Sequence, residues 1–150
     1  MKELLKQTIE ELLRVMNFEG KVILEDNNSD VLRVNIETEE APFLIGQGGQ
    51  NLVCLQQIVR KIVEKKSDQP VSFILDVNNY RRYKTEVLKE IAQKTAEKVL
   101  SEGRAVIMQP MNAFERKVIH TVMANYQSLA TISEGEEPNR RVIVKRQNII

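Results

Sequence analysis

The 150 residues predict an α+β protein in two parts, and three observations carry that prediction. Apolar residues recur at three- and four-residue steps in some segments and at every second residue in others, the two periods of helix and strand. Up to residue 77 the periods run in the order α-β-β-α-α-β. From Asn78 a different series begins: a helix, a short strand, a second helix and two antiparallel strands. The boundaries expected from this change are 1–77 for the first domain and 78–150 for the second.

In the first part, Leu4, Leu5, Ile9, Leu12, Leu13 and Met16 mark a helix over about residues 2–17, closed by Asn17 and Gly20. Val22 and Leu24, then Leu32, Val34 and Ile36, alternate as two strands, and Asn27-Asn28-Ser29-Asp30 supplies the turn of a hairpin. Pro42 suits the start of a short helix. Leu52, Leu55, Ile58, Val59, Ile62 and Val63 give the next helix its inward face, with Cys54 expected as a small core residue. Val71, Phe73, Leu75 and Val77 alternate as a strand. The sheet is expected to carry its helices on one face.

Between the two central helices lies Leu44-Ile45-Gly46-Gln47-Gly48-Gly49-Gln50-Asn51-Leu52. Glycines permit positive φ and close approach of a ligand backbone, and the first amides of the following helix carry the positive end of its dipole. A sugar-phosphate backbone is the ligand such a turn suits. No Gly-Lys-Ser/Thr ending and no third glycine at the dinucleotide spacing is present, which excludes two better-known phosphate loops. The Ile-Gly-x-x-Gly pattern, in this order of elements, resembles the loop of a type II KH domain, a fold that clamps single-stranded RNA or DNA. That resemblance implies backbone contacts at Ile45, Gly46, Gln47, Gly48 and Gly49, with Ile45, Leu52 and the hairpin lining an apolar groove. Family members commonly carry a basic residue inside this loop, where Gln47 and Gly48 are neutral.

In the second part, residues 79–102 read as one long helix, with Tyr83, Val87, Ile91 and Val99 inward, Asn78 or Asn79 as cap and Gly103 as stop. Arg81, Arg82 and Lys84 lie in its first turns, where cations oppose the dipole, and a phosphate ligand would offset that cost. Ala105 to Met108 suggest a short strand. Asn112 and Glu115 have the spacing of a capping box for a helix to about Tyr126. Thr131-Ile132 and Arg141 to Lys145 are the last strands, with a turn at Gly135 to Asn139. On the helix, Phe114, Val118, Ile119 and Val122 form the apolar side, and Arg116 and His120, four residues apart, are expected as a polar pair on the exposed side.

Pro110-Met111-Asn112-Ala113-Phe114-Glu115-Arg116-Lys117-Val118-Ile119-His120, followed by Ser133-Glu134-Gly135-Glu136-Glu137-Pro138-Asn139-Arg140-Arg141, resembles an R-three-H domain, named for Arg-x-x-x-His. Its place after a KH domain is similar to the Jag (SpoIIIJ-associated, KhpB) family of bacterial RNA-binding proteins. The resemblance implies single-stranded RNA, or single-stranded DNA, as partner, with Arg116, Lys117, His120, Arg140 and Arg141 tracking phosphates and Arg81, Arg82 and Lys84 as secondary basic contacts. It also implies a small KH-domain partner protein. Association with the membrane insertase, linked in the family to a further N-terminal domain, is not expected where Met1 leads straight into the first helix.

Charge agrees with this division. Residues 1–77 hold 9 Lys+Arg against 13 Asp+Glu, a balance of −4, and residues 78–150 hold 13 against 8, a balance of +5. The start of the chain lacks the apolar core of a signal peptide, so a cytoplasmic protein is expected. One cysteine and one histidine leave no zinc spacing, and no metal, cofactor or catalytic residue is expected. The competing reading is a protein-protein adaptor whose degenerate KH domain pairs with another KH protein, favoured by the neutral Gln47-Gly48.

Overall fold

The structure, a computed structural model, describes residues 1–25 and 31–147; the turn expected at Asn27 to Asp30 lies outside them. The chain forms two compact units, Met1–Arg81 and Arg82–Ile150.

In the first unit, α1 (Lys2–Val15), β1 (Lys21–Glu25), β2 (Leu32–Glu37), α2 (Ala41–Ile45), a single 3-10 turn (Gln47–Gly49), α3 (Gln50–Ser67) and β3 (Phe73–Val77) follow one another. The sheet runs β1-β2-β3, with β1 antiparallel to β2 and β3 parallel to it. Parallel neighbours need a long crossover, and α2, the glycine turn and α3 supply it. The register sets Val22 opposite Ile36 and Ile36 opposite Val77, and likewise Leu24, Val34 and Leu75, so alternate residues of all three strands share one face. That face meets Leu5, Ile9 and Leu13 of α1 and Leu52, Leu55, Val59 and Val63 of α3 in one core.

Two residues of α3 depart from the expectation: Ile58 is half exposed and Cys54 is exposed. The inward row is 52, 55, 59 and 63, and each residue turns about 100° around the axis. Ile58 therefore stands to the side of Val59, and Cys54 faces away.

α4 (Tyr80–Glu102) begins with both Asn78 and Asn79 at positive φ. Neither caps it. Asn78 lies alongside β2, exchanging side-chain hydrogen bonds with the backbone N–H and carbonyl of Thr38, and the Asn79 N–H donates to Asn35 Oδ1. At the start of α4 the Asp76 carboxylate accepts from the N–H groups of Val77 and Arg81. This carboxylate at the positive end of the dipole supplies the compensation that Arg81 and Lys84 call for, with no external anion needed. Asp76→Ala should cost about 1–2 kcal/mol of first-unit stability, read as a lower denaturation midpoint, whereas Asp76→Asn should recover part of it.

In the second unit, the residues of α4 from Arg82 onward precede β4 (Val106–Ile107), α5 (Ala113–Met123), β5 (Leu129–Glu134) and β6 (Arg141–Arg146). The sheet is antiparallel in the order β4-β6-β5. Val142 and Val144 of the central strand are fully buried with Leu88, Ala92, Ala96 and Val99 of α4 and Ile119 and Met123 of α5. The inward row of α4 thus falls one position beyond the one expected from Val87 and Ile91. Tyr83 and Ile91 are exposed, and the small side chains of Ala92 and Ala96 fill the core positions.

Candidate nucleic-acid interface

The first candidate region is the glycine turn. The Gly46 N–H donates to Pro42 O at 3.0 Å and closes α2, and the Gly49 N–H donates back to Gly46 O at 3.3 Å. Gly46 stands at φ 71, ψ −178, a region open in practice only to glycine, and a Cβ there would lie 2.5 Å from Asn51 Cγ. Asn51 cannot move away freely, because its Nδ2 donates to Phe43 O at 2.8 Å. Gly49, at φ 81, is the N-cap of α3, and a Cβ there would meet the Tyr80 ring at 3.2 Å. A glycine cap has no side-chain acceptor, so nothing from its own side chain covers the start of α3.

Gln47 and Gly48 stand exposed at the tip, and Ile45 is half buried against the first core. Leu52 is only 1% exposed and belongs wholly to that core, so it does not line a groove. Its position follows from the inward row of α3. The apolar group that stands out beside the turn is Phe43, 69% exposed. Sequence reasoning passed over it, although an aromatic directly after Pro42 that fits no inward row is a visible signal.

The second region is built on α5. Asn112 and Glu115 form the capping box reciprocally: Asn112 Oδ1 accepts from the Glu115 N–H and Glu115 Oε2 from the Asn112 N–H, each at 2.9 Å. This fixes the helix start next to the Gly135–Asn139 turn. Arg116 is not on an exposed face. It is 8% exposed and lies in the inward row with Ile119 and Met123, while Phe114 is turned outward. One guanidinium nitrogen, Nη1, donates to Met111 O at 2.6 Å, and Nη2 pairs with Glu137 Oε1 at 2.7 Å. A buried arginine requires such partners, and here they come from the residue before the helix cap and from the distant turn.

His120 sits between Thr131 and Ser133 of β5, with Nδ1 and Nε2 each 2.7 Å from a hydroxyl oxygen. A hydroxyl can donate or accept, so the two partners satisfy the neutral imidazole in either tautomer. Burial, and secondly the positive charge of Arg116, hold its pKa below the ordinary value of 6.5. Below about pH 6.5 the unfolded chain binds a proton that the folded chain resists, so this contribution to stability is complete at higher pH and declines as pH falls. The denaturation midpoint of the second unit should drop between about pH 7.5 and pH 5.5, and His120→Gln should flatten that dependence.

Around this framework, Lys117 and Arg140 are exposed, and Arg141 is half buried with its Nε–H donating to Asn139 O. The cations at the start of α4 divide differently. Arg82 is exposed. Lys84 pairs with Glu115 at 3.0 Å, and Arg81 donates to Leu75 O and to Gln56 Oε1, contacts that also cover the outer edge of β3. Among the described residues there is no His/Cys/Asp/Glu group able to hold a metal ion, and no helix is long and apolar enough to cross a membrane.

A family model for the KH domain matches residues 2–82, and one for the R-three-H domain matches residues 86–146. The chain is also similar to three curated proteins, each named RNA-binding protein KhpB. The one from Clostridium symbiosum is 36% identical over 143 residues, 93% of this chain and 64% of that protein. The one from Streptococcus pneumoniae serotype 2 is 35% identical over 119 residues, 79% of this chain and 36% of that protein. The one from Bacillus subtilis is 31% identical over 118 residues, 77% of this chain and 57% of that protein. The chain thus spans between about a third and two thirds of the length of these relatives. With the first model covering more than half of its residues and the second following in order, the chain belongs to the KH domain family, carries an R-three-H domain after it, and is a relative of the KhpB (Jag) proteins.

Proposed function

We propose that this chain binds single-stranded RNA in the bacterial cytoplasm, as a post-transcriptional regulator or RNA chaperone-like factor, with one contact region in each unit. The observation that carries the reading is the glycine turn at the start of α3, where Gly46 and Gly49 lack the Cβ that would hold a ligand backbone off, the neutral Gln47-Gly48 tip is exposed, and the positive end of the α3 dipole lies beneath it. The relatives' shared name, RNA-binding protein KhpB, supports RNA as the ligand. In the second unit, Lys117, Arg140 and Arg141 meet phosphates. Arg116 and His120 act as positioning residues, holding the Gly135–Asn139 turn and β5 against α5. A small KH-bearing protein is the partner class that the family resemblance implies.

No reaction is assigned. His120 Nε2 beside Ser133 Oγ has the spacing of a base and a nucleophile, but its Nδ1 meets the Thr131 hydroxyl, where a base would be oriented by a carboxylate. Fluorescence anisotropy with a labelled single strand and the same strand in a duplex tests the reading. Single-stranded RNA should bind at least about tenfold more tightly at equal salt, because the duplex hides base edges and splayed bases. Equal or tighter duplex binding overturns the proposal.

A further inference from the structure

The second sheet carries an apolar strip on the face turned away from its helices. Val142 and Val144 of β6 point into the core, so Ile143 between them points outward. The register sets Ile143 directly opposite Ile107 of β4 on one side and Ile132 of β5 on the other. Directly opposed residues share a face, and strands lie about 4.8 Å apart, so the three side chains make one row about 10 Å across. Ile107 is 63% exposed and Ile132 48%. An outward sheet face ordinarily alternates to polar residues, and a row of isoleucines across every strand departs from that.

Cations stand at both ends of the strip along β6. Arg141 and Lys145 lie two residues to either side of Ile143 on the same face, and the acidic neighbour among their cross-strand partners, Glu134, is opposite Arg141. Two copies packed through this face would bring Lys145 and Arg141 of one toward the same excess positive charge on the other. A single-stranded nucleic acid fits better: its bases offer apolar faces to the row and its phosphates meet the cations at either end. We propose that the Ile107–Ile143–Ile132 row is a base-binding platform for single-stranded RNA, distinct from the glycine turn and joined to the second unit's other phosphate contacts through Arg141. The proposal rests on the RNA-binding reading above.

The test uses the full chain and a short labelled oligouridine. Ile107→Thr with Ile132→Thr keeps β-branched residues in the strands and should weaken binding roughly tenfold while leaving the salt dependence unchanged, because apolar contact and no phosphate contact is removed. Lys145→Gln should make the salt dependence shallower. In wild-type chain labelled at isoleucine methyls, the Ile107, Ile132 and Ile143 signals should shift on RNA addition, a readout that does not depend on any variant folding. Unshifted methyls, or wild-type affinity in a folded double variant, overturn the platform while leaving RNA binding intact. So does a wild-type dimer that the double variant dissociates without loss of RNA affinity, since the strip then belongs to a second copy. Absence of any RNA binding by the wild-type chain overturns both readings together.

Discussion

Arg116→Ala should destabilise the second unit by roughly 2–3 kcal/mol. The loss combines the charge-assisted hydrogen bonds to Met111 O and Glu137 with the packing of the arginine stem beside Ile119. For a unit of this size that corresponds to a fall of roughly 10–20 °C in melting temperature. The remaining Glu137 is more than half exposed and rehydrates, so the variant escapes the larger penalty of a stranded buried charge. Glu137→Gln should accordingly cost less than Arg116→Ala. Arg116→Lys should fall near the alanine variant, because a point charge cannot reach both partners as a planar fork does. His120 is the only histidine, so its ring resonances report the second unit alone in a thermal melt followed by NMR. A change below about 0.5 kcal/mol in Arg116→Ala, within the range of ordinary surface substitutions, would show that the guanidinium is not a structural tie.

Gly48→Asp should lower affinity for single-stranded RNA by tenfold or more with the fold intact. Gly48 stands at φ 60, ψ 18, left-handed values that aspartate and asparagine tolerate better than other residues. A carboxylate at the loop tip, within several ångströms of a bound phosphate, adds roughly 2–3 kcal/mol of repulsion at the effective dielectric of a protein surface. Gly48→Asn has the same shape without the charge and should bind nearly as the wild type does. Isothermal titration of the two variants side by side therefore separates charge from backbone effects. Equal affinities for the aspartate and asparagine variants would remove the loop from the binding surface. Gly46→Ala is the opposite kind of change: its backbone values and the Asn51 side chain leave no room for a Cβ, so it should lose first-unit stability before it reports on RNA.

The fold was legible where the signals are local. Alternation marked β2 and β3, the 3.6-residue period marked α1, and Asn112 with Glu115 announced the capping box that the structure contains. The inward faces of α3 and α4 were less legible, because bulky apolar residues point to a core row that Ala92 and Ala96 in fact occupy, with Ile58 and Ile91 standing outside. Charged residues were least legible. Arg116 reads as a surface cation until Glu137, twenty-one positions later, folds back to it, and Arg81 and Lys84 read as phosphate ligands until Leu75 O and Gln56 take the guanidinium of the first and Glu115 the ammonium of the second. Burial of a charge depends on partners distant in sequence, and no period records them. Lys117 and Arg140, with no such partner among the described residues, remain exposed cations of the region.

The central claim, that the chain grips a single-stranded polyanion with cations of the second unit assisting the glycine turn, is tested most directly by the salt dependence of RNA binding. For the wild type, the logarithm of the binding constant should fall linearly with the logarithm of salt concentration, and Lys117→Gln with Arg140→Gln should make that slope shallower by about 1.4, the release of roughly 0.7 counterions for each of two phosphate contacts. Affinity independent of salt, or a double variant with the slope and affinity of the wild type, would contradict it.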